Sequence, residues 1–259
     1  MPKKGNGALL EQDIELDSEA AVEADLLGAK GKGKKAGPAK IDFKSITIPK
    51  IQTDTMEITV VETTPLIVNN FSEKSKGAMF IKQTKGAAVK REAKNPFEQF
   101  TGSLYVMPGK SLPKTKLEKF TNEQHLGDSW PYLKDTFGIP SPALKNAMIS
   151  ACRFIDGVPM TLVTGAVHVL GFTLPIKYSK LYMREDIVRV GKFPNKQPDL
   201  RYRAMFTGWS ITARVMFNSR IFKPEQIVNL IQHAGFHVGL CEWRVEKKGS
   251  FGMFEVERG

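Results

Sequence analysis

Two observations predict an α+β fold: the core elements run strand, helix, strand, strand, helix, strand, and period-two alternation in the strand segments gives way to 3.6-residue apolar faces in the helical ones. That order is the split βαβ, or ferredoxin-like (RRM-like), βαββαβ arrangement, an antiparallel sheet backed on one face by two helices. The chain is read as a flexible arm over residues 1–40 and a palm over 41–259 with insertions at about 69–137 and 171–208.

The arm joins an acidic amphipathic patch, LLEQDIELDSEAAVEADLL, to a Gly/Lys run, GAKGKGKKAGPAK, which has nothing to bury. The first core strand is MEITVV, where Met56, Ile58 and Val60 alternate with Glu57, Thr59 and Val61, and Thr63-Thr64-Pro65 ends it. Residues 69 to about 135 show few strong periodicities and many breakers, so they are expected to be loop-like. The first helix begins in GIPSPALKNAMISACRFIDG. Ser141 is its expected N-cap, Pro142 its first helical residue, and Leu144, Ala147, Met148, Ala151 and Cys152 its apolar face, with Gly157 as the stop.

Val158 to Val169 reads as a strand broken near Gly165, and the basic segment from 171 to 208 reads as irregular. In Trp209 to Phe217, the residues Trp209, Ile211, Ala213, Val215 and Phe217 share one strand face. Pro224 opens the second helix, with Ile227, Val228, Leu230 and Ile231 apolar and Gly235 expected just past its end. Phe251 to Val256 supplies the last strand.

Composition narrows the function classes. The net charge is +11, and the seven lysines of residues 1–40 cancel against seven acids there, so the whole excess belongs to 41–259. A folded body with that surplus suits polyanions. Two cysteines, Cys152 and Cys241, imply no disulfide framework and a reducing, cytoplasmic setting. Val158 to Ile176 nearly has the length of a membrane span, but prolines and glycines interrupt it, and the acidic N-terminal segment does not resemble an export signal. His233 and His237 stand four apart, yet a helix ending at Gly235 would separate them, so neither a metal nor a cofactor is expected. Nucleophile elbow, phosphate-binding Walker loop and dinucleotide fingerprint are missing, which argues against an enzyme. The remaining catalytic reading is a metal-independent ribonuclease using His125 or His237.

A sequence-tolerant strand binder needs cations for phosphates and flat side chains for bases. The second insertion interleaves both: Lys177, Tyr178, Lys180, Tyr182, Arg184, Arg189, Lys192, Arg201 and Arg203. The run from Gly235 to Val256 adds Trp243, Arg244, Lys247 and Lys248 among glycines that admit a phosphate or another backbone. Taken alone, that run equally suits glycine-bearing turns, and the tyrosines equally suit a core. Lys145 and Arg153 lie eight apart on the first helix and complete the candidate nucleic-acid-binding set.

Three segments in order resemble the RAMP superfamily, RNA-binding proteins of CRISPR systems. They are Ile58 to Pro65 (ITVVETTP), Gly138 to Arg153 with its Ile-Pro-x-x-x-Leu-Lys start, and the C-terminal glycine segment. The arrangement is most similar to the backbone subunit that polymerises along a guide RNA, and a divergent phage-type relative would share it. The resemblance implies a ferredoxin-like palm with inserted fingers and thumb that binds single-stranded RNA, contacts the next copy head to tail and joins other subunits of a ribonucleoprotein. Lys145 stands at a basic position of that motif. The loop from Gly235 to Gly252 departs from the family in its sparser glycines, and the acidic arm has no counterpart. Three other readings stay open: a single-stranded DNA-binding or strand-annealing recombination protein, a structural assembly subunit, and the ribonuclease.

Overall fold

The computed structural model describes residues 48–71, 73–86, 95–112, 135–191, 194 and 197–257, and divides the chain into Met1–Pro49 and Lys50–Gly259. The predicted arm therefore lies outside the described residues, as do Lys192 and His125. Every described helix and strand belongs to the second unit.

That unit is an α+β fold with two antiparallel sheets. In the larger, β1 (Thr53–Glu62) is central, paired with β8 (Ser210–Asn218) on one side and β9 (Phe254–Val256) on the other. The far side of β8 carries β4 (Val167–Val169) and then β5 (Thr173–Lys177), and β5 pairs outward with β3 (Gly138–Pro140). The two short strands β4 and β5 follow one another along β8, interrupted at Gly171, whose φ of 95° makes the bend. The alternation anticipated from Trp209 to Phe217 is present: all five odd-numbered residues are buried, and Ile58 and Val60 face Ala213 and Ile211 across the ladder. The Trp209 indole N–H donates to the Thr64 carbonyl at 2.9 Å, so its burial leaves no polar atom unsatisfied.

Two helices back this sheet, α3 (Ser141–Ala151) and α5 (Pro224–His237), which pack against each other. Leu144, Ala147, Met148 and Ala151 are buried as predicted. Ser141 lies within the first turn instead of capping it, because its hydroxyl donates to the Gly171 carbonyl and ties the helix start to the β4–β5 bend. The helix ends before Gly157, in a 3-10 turn over Cys152–Phe154.

Four further expectations are corrected. Val158 to Val169 is not one strand: Pro159, with extended backbone, starts a short helix α4 (Met160–Ala166) that buries Val163 and Ala166, and only Val167–Val169 pairs with β8. Gly235 does not end the second helix but lies inside it, since any β-carbon there would overlap the Phe254 carbonyl where β9 crosses. The loop expected at 69–135 contains α1 (Glu73–Lys85) and α2 (Pro96–Ser103). The Asn95-Pro96 pair, a turn signal in sequence, is an N-cap followed by a first-turn proline: the Asn95 carboxamide accepts from the Phe97 and Glu98 amides at 3.0 and 3.3 Å. The basic segment at 171–208 is regular: β5 belongs to the main sheet, while β6 (Lys180–Val190) and β7 (Gln197–Thr207) form a long hairpin.

That hairpin makes the smaller sheet with β2 (Leu66–Val68). Near its base Leu181, Met183, Ala204 and Phe206 are buried on one face, beside Phe137 and Tyr178. Beyond Glu185 the same face reaches solvent, with Ile187 opposite Leu200, both exposed. Apolar alternation therefore stops halfway along each strand. The buried Ser103 hydroxyl donates to the Phe100 carbonyl at 2.7 Å and accepts from the Ala204 amide at 2.9 Å, pinning α2 to the base. No helix among the described residues is long and apolar enough to cross a membrane.

Candidate nucleic-acid interface

Hairpin register sorts the predicted cations. Lys180, Tyr182, Arg184, Arg203 and Arg201 share the face opposite the core, and Arg189 projects from the other face near the far end. Arg184 and Arg203 stand directly across from each other, an arrangement that repels unless an anion lies between them. Asp186 supplies it: only 6% exposed, it accepts from Arg184 Nε at 2.7 Å and from an Arg203 terminal nitrogen at 3.4 Å. Arg201 pairs with Asp199 at 2.9 Å. Tyr202 holds its proton more tightly than usual, first through a hydrogen bond to Glu185 and then through burial.

Tyr178 is partly buried and packs against the core. It packs against Phe137 and Phe206, with ring centroids at 6.1 and 5.0 Å, and burial, followed by nearby Asp135, pushes its phenol up to about 12. Tyr182 is half-buried on the charged face, and Lys177 and Lys180, either side of the turn from β5 to β6, are exposed.

The C-terminal loop, Gly239 to Gly252, is strapped to β2 and its neighbours by backbone hydrogen bonds. The Glu242 amide donates to the Ile67 carbonyl at 2.9 Å, Gly252 to Pro65 at 2.8 Å and Leu240 to Gly252 at 2.8 Å. Its glycines serve chain-on-chain approach: a β-carbon at Gly249 would overlap the Trp243 carbonyl. Cys241, Trp243 and Lys248 take φ of 59°, 53° and 65°, backbone that L side chains seldom adopt. The Trp243 ring is 39% exposed. The loop meets the hairpin through Arg184, whose guanidinium lies 4.6 Å over the Phe251 ring.

Glu246 organises the other side of the loop. Its carboxylate accepts two hydrogen bonds from Arg244, at 2.7 and 3.1 Å, and pairs with Arg153 at the end of α3. Burial alone would raise this carboxyl, but hydrogen bonds from Arg244, Ser150 and Arg153 outweigh it and hold Glu246 below the usual carboxylate range. A remaining Arg244 N–H donates to the Cys241 carbonyl at 2.9 Å. Beside them a cleft of about 240 Å³ opens between α3 and the loop, lined among others by Tyr105, Asn146, Ser150 and Cys241. Burial, followed by nearby Glu242, pushes the Cys241 thiol up to about 12. Lys247 and Lys248 are exposed.

The structure thus joins Arg184 to the loop, and Arg153 to Arg244 through Glu246. Lys145 keeps different company: its ammonium lies 3.2 Å from His168 Nδ1, and His168 Nε2 is 3.3 Å from the Gly165 carbonyl. Because α5 continues through Gly235, His233 and His237 do share a face, their rings stacked at 5.6 Å. Among the described residues no group of three His, Cys, Asp or Glu side chains converges on a metal position. His237 is also stacked on Phe154 at 4.4 Å, a contact not foreseen from sequence.

No family model matches the chain, and no curated protein matches it. Among solved structures it is similar to a Type III-B Cmr-beta structure bound to cognate target RNA, with TM-score 0.41 and 9% identity over 80% of this chain, spanning 59% of the length of that one. It is also similar to Cmr6 from Pyrococcus furiosus, with TM-score 0.39 and 10% identity over 80% of this chain and 100% of that one.

Proposed function

We propose that the chain is a non-catalytic, cytoplasmic protein that binds single-stranded nucleic acid, RNA in preference to DNA, and packs head to tail along the strand as a CRISPR-type backbone subunit. The larger sheet, read β9-β1-β8 and then β4 with β5, has the strand order of a ferredoxin-like palm, which supports that finer reading of the fold. The observation that carries the function is a set of five exposed cations with no carboxylate partner among the described residues. Lys177 and Lys180 lie at the base of the hairpin, Arg189 on its other face, and Lys247 and Lys248 on the loop that Arg184 meets, which also carries the exposed Trp243 ring. Cations free to displace counterions, beside a ring free to stack, are what a sequence-tolerant strand site requires.

The test is fluorescence anisotropy with oligouridylate and oligothymidylate across a salt series. Five phosphate contacts give a log-log slope of about −3.5 on a single strand. The variant Lys180→Glu/Arg189→Glu/Lys248→Glu is expected to flatten the slope and weaken binding at least tenfold. Unchanged binding by that variant would refute the site. Equal affinity for DNA together with faster pairing of complementary strands would replace the RNA reading with the annealing one.

A further inference from the structure

We propose that the exposed ring column on the C-terminal half of α5 is a second base-stacking site for the same strand, an inference that rests on the strand-binding reading above. Phe154 lies parallel to His237, at 4.4 Å and 10°, and His237 parallel to His233, at 5.6 Å and 14°. Phe236 meets His237 edge-on at 4.9 Å. The column is thus ordered before any ligand arrives, and its outer rings remain in solvent: Phe154 is 53% exposed and Phe236 63%. These two open phenyl rings border a shallow groove of about 480 Å³ completed by Val245 and Met253.

Charge and continuity select a base over an apolar protein segment as the occupant. Arg153 lines the groove, and the Arg153–Glu246–Arg244 cluster sets two guanidiniums against one carboxylate, leaving net positive charge at the rim. That cluster is also the link to the first site. Contacts run from Arg184 on the hairpin to Phe251, from Phe251 to the Trp243 carbonyl, and through Arg244 and Glu246 to Arg153, next in sequence to Phe154. A strand leaving the hairpin along this track meets alternating cations and flat rings. A base laid on the outer face of Phe154 would extend an existing parallel stack, with Arg153 placed for its phosphate.

The experiment uses the full chain, oligouridylate, and an abasic strand of equal length, which has the same phosphates and no bases. Phe154→Ala/Phe236→Ala is expected to weaken oligouridylate binding about tenfold, to leave the salt slope unchanged and to leave abasic-strand binding unchanged. The single variant Phe236→Ala, at the more exposed ring, guards against a folding defect and is expected to show the same pattern more weakly. If wild type binds no oligonucleotide, both this inference and the functional reading fall. If wild type binds and both variants bind equally well, the column is not a base site and the functional reading stands. Unchanged binding together with a shift from oligomer to monomer in sedimentation would assign the groove to contact between copies and likewise overturn the inference.

Discussion

In the C-terminal loop, Arg244 gives its guanidinium to Glu246 and to the Cys241 carbonyl, whereas along the hairpin Arg184 and Arg203 are gathered on Asp186, and Arg201 on Asp199. Farther out, Arg189 stands in solvent, and Lys180 does so at the turn. Both regions read alike in sequence, as basic and aromatic. The difference teaches that a cation's availability depends on its neighbours: Arg184, Arg201, Arg203 and Arg244 are each held by a nearby carboxylate, and Arg189, with none beside it among the described residues, stays free.

The contrast breaks most sharply if each region loses its carboxylate. Asp186→Ala leaves Arg184 and Arg203 face to face with no counter-charge and is expected to cost about 3 kcal/mol in urea unfolding. A loss below about 0.5 kcal/mol would show that the hairpin base does not depend on this anion.

Glu246→Gln ranks second, at about 2 kcal/mol for the charge-assisted bonds it weakens. Because Glu246 is held below the ordinary glutamate range, the unfolded chain binds its proton first as pH drops. The contribution is therefore complete at neutral pH and disappears as pH falls from about 4.3 through the lower folded value. The variant should lack that part of the acid slope, and an unaltered slope would mean another group produces it.

The smallest effect is a gain. Lys248→Gly relieves a left-handed backbone at φ 65° and is expected to raise stability by about 1 kcal/mol, measured by thermal unfolding, while removing one of the five free cations.

Legibility followed how much of an element the core touches. The face of β8 and the apolar stripe of α3 were readable because every second residue, or every third and fourth, is buried. The hairpin was not, because Leu181 and Met183 alternate inward but Glu185, Ile187 and Arg189 continue the same face in solvent. Gly235 misled because a glycine needed for close passage of β9 has the same letter as one that ends a helix. As for the candidate site, the sequence nominated basic and aromatic residues but could not separate Tyr178, which packs against the core, or Arg244, which is ion-paired, from Lys180 and Lys248. Burial and pairing depend on neighbours in space, such as Asp186 for Arg203 on the facing strand.

The central position of β1 has a consequence for synthesis. Thr59 and Thr212, hydrogen-bonded at 3.0 Å, are 153 residues apart, and the Met253 amide that bonds the Thr64 hydroxyl is 189 away. A ribosome therefore emits the middle strand well before its two companions, so the larger sheet closes only after Val256 has emerged. Until then Ile58 and Val60 ride on an unpaired edge in the nascent chain. This topology folds slowly and depends on late-arriving segments, which makes the last turn of chain before residue 257 as much a condition of folding as the strand it completes.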